Sequence, residues 1–168
     1  VHDDPDNAEA ATLDLADIFR GSMRRADQLI SLEDELMLAR QYLNMEQRRL
    51  GDRLQLEWRV DELPSGAQVL PLMLQPLLEN AVAHGIQAWP EGGKLSVYGR
   101  GETDQVVITI GNPLAPPGVE SAGNGMAIQN IRERLALAFG SRAKLLTNQD
   151  QEQFYAVLVV PYETHSDH

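Results

Sequence analysis

The sequence predicts an α/β protein, in which helices cover one face of a mixed β-sheet to give a two-layer sandwich after an N-terminal helical extension. Three observations predict this fold class. Apolar residues recur at helical spacing between residues 32 and 50. Alternating apolar and polar residues then mark a strand, and two later pairs of such stretches read as hairpins. An amphipathic helix separates the two hairpins, an order of elements that packs into two layers.

The first fifty residues read as two helices. We expect one helix from about Ala8 to Ile30, after an acidic start, and a second that follows Ser31. Ser31 and Asp34 approximate a capping box, in which the serine side chain accepts a hydrogen bond from the first helical turn. Gly51 should end this second helix.

The remaining elements follow from alternation and turn residues. In order, they are a strand at 54–60, a helix from about Pro71 that carries Asn80, a turn at 89–93, a hairpin of strands 94–100 and 105–111, a loop at 112–124, a helix at 126–139 and a hairpin of strands 144–148 and 154–160. Pro76 should kink its helix or mark the true start. The loop, rich in Pro and Gly, is a candidate mobile lid.

Composition excludes several classes of protein. The chain has 168 residues, of which 43% are hydrophobic and 23% charged, as in a globular domain. A net charge of −11 argues against direct nucleic-acid binding, which needs a basic patch. The absence of cysteine excludes disulfides and thiolate zinc sites. No apolar run reaches the length of a membrane span, and no signal peptide is evident. The start at Val1 suggests a piece of a longer protein.

A glycine-spaced loop runs directly into the helix at 126–139. Gly123 and Gly125 let backbone N–H groups approach an anion closely. The N-terminus of the following helix would present unpaired N–H groups to the same anion. The pattern therefore indicates a phosphate site, although an ordinary turn before a core helix would have the same spacing.

An apolar helix upstream carries an amide and an imidazole. Asn80 and His84 are one helical turn apart, so they share one face of the segment Leu77–Gly85. Buried polar groups need partners, and these two side chains could cap neighbouring backbone. Alternatively, the Asn80 amide oxygen could hold Mg²⁺, which prefers oxygen ligands and bridges to substrate phosphates.

Together these motifs resemble the ATP-binding catalytic domain of sensor histidine kinases, within the GHKL superfamily and its Bergerat ATP-binding fold. The run Glu79–Gly85 is similar to the N box, and Gly123–Ala127 to the second glycine box. The stretch at 31–54 and the hexapeptide Asn130–Leu135 resemble the LytS-type kinases, and among them those that control alginate or pilus genes in pseudomonads.

The resemblance implies ATP and Mg²⁺ as cofactors. Glu79 and Asn80 would be catalytic, and Asn80 would also bind the metal. The residues implied to bind ATP are Asn80, His84, Asn112, Gly123, Asn124, Gly125, Met126 and Ala127.

The resemblance also implies a domain organisation and partners. Residues 1–30 would be the remnant of a dimerisation and phosphoacceptor helical hairpin, residues 31–161 the ATP-binding domain, and residues 162–168 a polar tail. The implied partners are a response regulator and, through upstream helices, a second copy of the full-length protein. The implied location is the cytoplasmic side of a bacterial inner-membrane sensor.

Three departures from the family pattern should weaken nucleotide affinity. Asn112 and Pro113 stand where most relatives place an aspartate and a glycine that recognise adenine. An amide still accepts a hydrogen bond, but without charge the bond is weaker. Ala83 replaces a lysine of the N box, and Ala127 replaces a third lid glycine.

A phosphoacceptor sequence of the Asn-Pro-His-Phe type is absent from the chain. The four histidines are His2, His84, His165 and His168. Three of them lie in the polar ends of the sequence, so we expect the fragment to bind nucleotide without phosphorylating itself.

Three functions compete. The first is the catalytic domain of a two-component sensor kinase, which transfers the γ-phosphoryl group of Mg-ATP to a histidine and thence to a regulator. The second is a degenerate module that keeps the fold but signals by conformation and protein contacts. The third, a hydrolytic ATPase, needs a base one turn before Asn80, where Pro76 stands. Glu79 projects about 100° away from Asn80 around the helix, so we discount the ATPase.

Overall fold

The computed structural model describes residues 28–119 and 124–162 of the chain. Its elements, in chain order, are β1 (Ile30–Ser31), α1 (Leu32–Leu50), β2 (Leu54–Glu62), β3 (Gln68–Val69), α2 (Leu74–Asn80) with a π-helical continuation (Ala81–Ile86), β4 (Gly93–Gly101), β5 (Gln105–Pro113), α3 (Asn124–Phe139), β6 (Lys144–Gln149) and β7 (Gln153–Pro161). Short 3₁₀ turns follow α1 and α3. The predicted helix from Ala8 lies outside the described residues, apart from its last three positions.

The main sheet has five strands in the order β2-β4-β5-β7-β6. Strands β2 and β4 are parallel, and the other neighbours are antiparallel. β1 and β3 form a separate two-stranded ribbon. The described part thus confirms the predicted two-layer α/β sandwich with a mixed sheet.

The start of α1 follows the predicted capping pattern. The Ser31 Oγ accepts a hydrogen bond from the Asp34 N–H at 3.1 Å. Gly51 ends the helix with φ of +58°, a conformation that suits glycine. The prediction that helix runs up to Ile30 is wrong, because Ile30 pairs with Val69 in the short ribbon. Its β-branched side chain packs on the core from there.

The helix that carries Asn80 starts later than predicted. It begins at Leu74 rather than near Pro71, so Pro76 falls in the first turn, where its missing N–H costs little. After Asn80 the helix widens, and the Gln87 N–H reaches the Val82 carbonyl five residues back at 2.8 Å. Such π-type turns often occur at functional sites.

The core lies between the three helices and one face of the sheet. Its side chains are almost completely buried, among them Leu43, Met73, Ile86, Leu95, Ile108, Ile131 and Leu158. The alternation in β5 sends Ile108 and Ile110 toward the helices. The same alternation sends Asn112 to the helical side, and this residue is part of the strand rather than of the predicted loop.

Candidate nucleotide site

A cavity of about 370 Å³ opens between α2, α3 and the sheet. Its walls come from four places: the α2 region, the end of β5 with the residues after it, the start of α3, and the last hairpin. The lining residues are Leu77, Asn80, Ala81, His84, Ile110, Asn112, Leu114, Ala115, Gly125, Ile128, Arg132, Thr147, Gln149, Phe154 and Ala156. The structure therefore brings Asn80, His84, Asn112 and Gly125 around one space.

Asn80 lies at the end of α2, where the helix begins to widen. Its Nδ2 is buried and has no hydrogen-bond partner among the described residues. A buried amide left without a partner costs about 1–3 kcal/mol. The Asn80 side chain makes no cap hydrogen bond to the helix that follows it, so the alternative that it caps neighbouring backbone is not supported.

Asn112 packs directly against the π-helical segment. A Cβ on Gly85 would lie 2.7 Å from the Asn112 Cβ and 2.5 Å from its Nδ2, so only glycine allows this approach. The Asn112 side chain is 5% exposed, and its Nδ2 donates to the Pro113 carbonyl at 2.8 Å. The N-box segment and the end of β5 thus meet at one close contact on the cavity wall.

The predicted glycine-box residues do not all lie at the cavity. Helix α3 begins at Asn124, two residues earlier than expected, and Gly125 lines the cavity. Met126 is 82% exposed, and neither it nor Ala127 lines the cavity. Gly123 lies outside the described residues.

Glu79 points away from the cavity. Its side chain is exposed, and its Oε1 accepts a hydrogen bond from the Gln75 Nε2 one turn earlier, at 3.2 Å. This orientation agrees with the rotation of about 100° between successive helical residues. A catalytic role for Glu79 stays a prediction, since it does not reach the cavity in this conformation.

The sequence did not lead us to predict the cavity wall that the last hairpin, β6 and β7, forms. Thr147 and Gln149 of β6, with Phe154 of β7, line the cavity next to Asn112. Asn112 pairs with Phe154, and Phe154 with Gln149. Period-two alternation within the second hairpin was the available signal, because it places every second residue on the helical face.

Arg132 was also missed. It lies two turns into α3, lines the cavity and donates from Nε to the Leu145 carbonyl at 2.9 Å. Its i+7 spacing from Gly125 puts both residues on the same face of the helix, which would have indicated this position.

Behind the cavity, a buried carboxyl group holds the turn that leads into α2. The Glu35 side chain, on α1, is 2% exposed. Its Oε1 accepts from the N–H groups of Met73 at 2.9 Å and Leu74 at 3.2 Å, and its Oε2 accepts from Leu72 at 3.2 Å. Burial raises the pKa of Glu35 above its ordinary value, against the opposing effects of these N–H groups and of Arg134.

The described residues contain no group of three or more His, Asp or Glu side chains that could hold a metal ion alone. Asn80 nevertheless offers the cavity an amide oxygen, a type of ligand that Mg²⁺ accepts, and no hydrogen bond within the described residues engages its side-chain nitrogen. Asn80 alone would be an incomplete ligand set, which substrate phosphate oxygens commonly complete for Mg²⁺.

Comparisons with known proteins indicate the family to which this chain is related. A family model described as "Histidine kinase" matches residues 1–54. The sensor protein LytS of Staphylococcus saprophyticus is 28% identical over 172 residues, covering 95% of this chain and 29% of that protein. The catalytic domain of histidine kinase ThkA superposes with a TM-score of 0.59 at 14% identity, over 80% of this chain and 95% of that one. The crystal structure of full-length ShkA in complex with AMPPNP superposes with a TM-score of 0.58 at 17% identity. The superposition covers 83% of this chain and 32% of ShkA.

The chain is thus related to the LytS-type sensor histidine kinases, and its fold is that of histidine kinase catalytic domains. The sequence-based resemblance to this family is confirmed. The chain spans less than a third of the length of the curated relatives that it matches. Among the described helices, none is long and apolar enough to cross a membrane.

Proposed function

We propose that the chain is the ATP-binding catalytic domain of a two-component sensor histidine kinase. In the full-length protein it would position Mg-ATP for phosphoryl transfer to a histidine outside this fragment. The observation that carries this proposal is the convergence of Asn80, His84, Asn112 and Gly125 on one cavity. The ShkA structure with AMPPNP supports nucleotide binding by a protein of this fold.

The proposed roles follow the chemistry of each group. Backbone N–H groups near Gly123 and Gly125, at the N-terminus of α3, would bind phosphate oxygens. The Asn80 amide oxygen would bind the metal, and Asn112 would accept a hydrogen bond from the adenine amino group. From the α2 side of the cavity, His84 would donate a hydrogen bond to a phosphate or ribose oxygen. Asn124, Met126 and Ala127 would contribute backbone contacts.

Catalysis would consist mainly of positioning and charge stabilisation, as in other phosphoryl transfers. Asn80 would hold Mg²⁺, whose positive charge would offset the negative charge that develops on the transferred phosphoryl group. The apolar walls around Leu77, Ile110 and Ile128 would exclude water and so strengthen each polar contact. The full-length protein would then act as a histidine protein kinase, with Glu79 as a further candidate catalytic residue.

The proposed partners come from the same relationship. A structure of ThkA in complex with the response regulator TrrA superposes with a TM-score of 0.56 over 95% of this chain. We propose a response regulator as the phosphoryl acceptor and a homodimer formed through helices that include residues 1–30. The ATP-binding domain would occupy residues 31–161, on the cytoplasmic side of a membrane-bound sensor.

Calorimetric titration of the chain with AMPPNP, in the presence and absence of Mg²⁺, tests this proposal. We expect binding that depends on Mg²⁺, with a stoichiometry of about one per chain. The Asn80→Ala variant should lose the dependence on Mg²⁺. Absence of any binding by a folded wild-type chain would refute the proposal.

A second function is favoured by one observation. Asn112 replaces a charged adenine acceptor, and its Nδ2 is already bonded to Pro113. A degenerate module that signals by conformation and protein contacts would tolerate this change. The same titration separates the two functions, because such a module would bind nucleotide weakly or not at all.

A further inference from the structure

Helix α2 lacks a cap of its own. The residue before it, Met73, is apolar and makes no side-chain cap hydrogen bond. The N–H groups at a helix start need acceptors, because the helix itself supplies none. Here the acceptors come from another helix, because the carboxyl oxygens of Glu35 on α1 accept hydrogen bonds from the N–H groups of Leu72, Met73 and Leu74.

The carbonyl side of the same turn is held from α3. The Arg134 guanidinium donates to the Pro71 carbonyl at 2.7 Å and to the Leu72 carbonyl at 3.4 Å. Its charge also acts on Glu35, whose pKa it lowers. Donors and acceptors of one turn are therefore bound by two ionisable side chains from two different helices.

The turn itself has an unfavourable backbone conformation. Leu72 has φ of +58°, and it is the one non-glycine residue with positive φ among those described. A residue that carries a Cβ atom rarely adopts this conformation, which persists only where surrounding contacts impose it. The hydrogen bonds that the turn donates to Glu35 and accepts from Arg134 are the contacts that hold it here.

The position of this turn determines the position of Asn80. Asn80 is six residues after Leu74 on one short helix, an axial distance of about 9 Å. No residue of α1 lines the cavity, and Arg134 does not line it either. The hydrogen bonds of Glu35 therefore reach the site through the turn and the helix that it caps.

We propose that Glu35 is a positioning residue for the nucleotide site, which fixes the helix bearing Asn80 by capping its first turn opposite Arg134. This inference rests on the proposed function. It makes α1, α2 and α3 one unit at the cavity, so that a displacement of α1 would displace Asn80 and the start of α3 together.

The test compares Glu35→Ala and Glu35→Gln with Leu43→Ala. Leu43 is fully buried on the same helix, two turns away from Glu35 and outside the cavity lining, so its truncation destabilises the chain without touching the turn. Each chain is titrated with Mg-AMPPNP at a temperature where urea unfolding shows it to be folded. The Asn80 side-chain amide resonance is followed by NMR without ligand.

We expect Glu35→Ala to lower Mg-AMPPNP affinity by about tenfold or more, as supporting residues of metal ligands commonly do. Its Asn80 amide resonance should shift. Glu35→Gln keeps one acceptor oxygen for Met73 and Leu74, so it should recover part of the affinity and part of the wild-type resonance. Leu43→Ala should change both measurements less than Glu35→Ala does, because it leaves the hydrogen bonds of the turn in place.

Equal affinities and equal Asn80 resonances in Glu35→Ala and Leu43→Ala would overturn the inference. If Glu35→Ala does not fold, Glu35→Gln decides, and a wild-type affinity and resonance in that variant would overturn it. If the wild-type chain binds no nucleotide, the proposed function fails. The resonance comparison still tests whether Glu35 positions Asn80, because it needs no ligand.

Discussion

Gly85 and Asn112 lie in direct contact across the cavity wall, and a Cβ on Gly85 would stand 2.7 Å from the Asn112 Cβ. Gly85 belongs to the π-helical segment that carries His84, and Asn112 to the end of strand β5. The two motifs that indicated nucleotide binding and adenine recognition are therefore one packing unit. A change in either residue should alter the other.

Gly85→Ala should lower the free energy of unfolding by about 1–3 kcal/mol, because the added methyl group must displace Asn112 or the helix. Gly125→Ala is the matched control, since among the described residues no atom outside its own stretch of helix lies within 4 Å of a Cβ there, and alanine favours the helix. Urea unfolding measures both. Equal effects of the two substitutions would contradict the close contact.

Asn80→Ala should raise the stability of the chain while it weakens nucleotide binding. Removing a buried amide nitrogen without a partner should raise the free energy of unfolding by about 1 kcal/mol. The same variant should lose Mg²⁺-dependent binding of AMPPNP, because the proposed metal ligand is gone. Urea unfolding and calorimetry give the two values. A stability loss together with unchanged binding would assign Asn80 to the fold instead.

Asn112→Asp should tighten ATP binding by about 1 kcal/mol, because a carboxylate is the stronger acceptor for the adenine amino group. GTP should gain nothing, since guanine presents an oxygen at that position. Without nucleotide the variant should be less stable, because a carboxylate cannot donate to the Pro113 carbonyl. Asn112→Ala should remove any preference for adenine.

Calorimetry with ATP and GTP on these variants checks the assignment of Asn112. If Asn112→Asp leaves ATP affinity unchanged while Asn80→Ala abolishes binding, phosphates and metal carry recognition. The adenine role of Asn112 would then be wrong.

The pKa of Glu35 predicts how its contribution to stability changes with pH. Burial raises this pKa above the ordinary 4.5, so the folded chain holds the proton more tightly than the unfolded chain does. The contribution is full below pH 4.5 and is lost as pH rises through the folded-state pKa. Glu35→Gln does not titrate there, so the stability of wild type relative to this variant should fall as pH rises.

Urea unfolding of both chains between pH 4 and pH 7, a range chosen to bracket the ordinary pKa of Glu, measures this difference. If wild type instead becomes more stable relative to Glu35→Gln as pH rises, the three N–H donors and Arg134 outweigh burial in setting the pKa of Glu35.

Apart from the ribbon of β1 and β3 and the π-helical continuation of α2, local patterns predicted the described elements to within a few residues. Ser31 and Gly51 bracket α1 as their capping chemistry required, and the spacing of Asn80 and His84 put both side chains on the cavity. The start of α2 was misplaced because Pro71 precedes a turn with a left-handed Leu72, a conformation that no sequence pattern here indicates.

The contact made by Glu35 could not be predicted in the same way. Its partners lie 37 to 39 residues further along the chain. By its position in the sequence this acid belongs to the first turn of its own helix, where acids are favourable. The structure shows that it serves the N-terminus of a different helix, which only the packing of α1 on α2 can determine.

The single parallel pairing in the sheet affects the order in which the chain can assemble. Strands β4 and β5, like β6 and β7, are neighbours in sequence and close through short turns. Strand β2 reaches β4 only after residues 63–92, including all of α2, have been placed between them. Contacts across such long separations form slowly, since the entropy of closing the loop must be lost first. We therefore expect the two hairpins to form early, and the pairing of β2 with β4 and of β5 with β7, across residues 114–152, to come later. Because Asn112 of β5 and Phe154 of β7 both line the nucleotide cavity, the cavity would form only after the hairpins have joined.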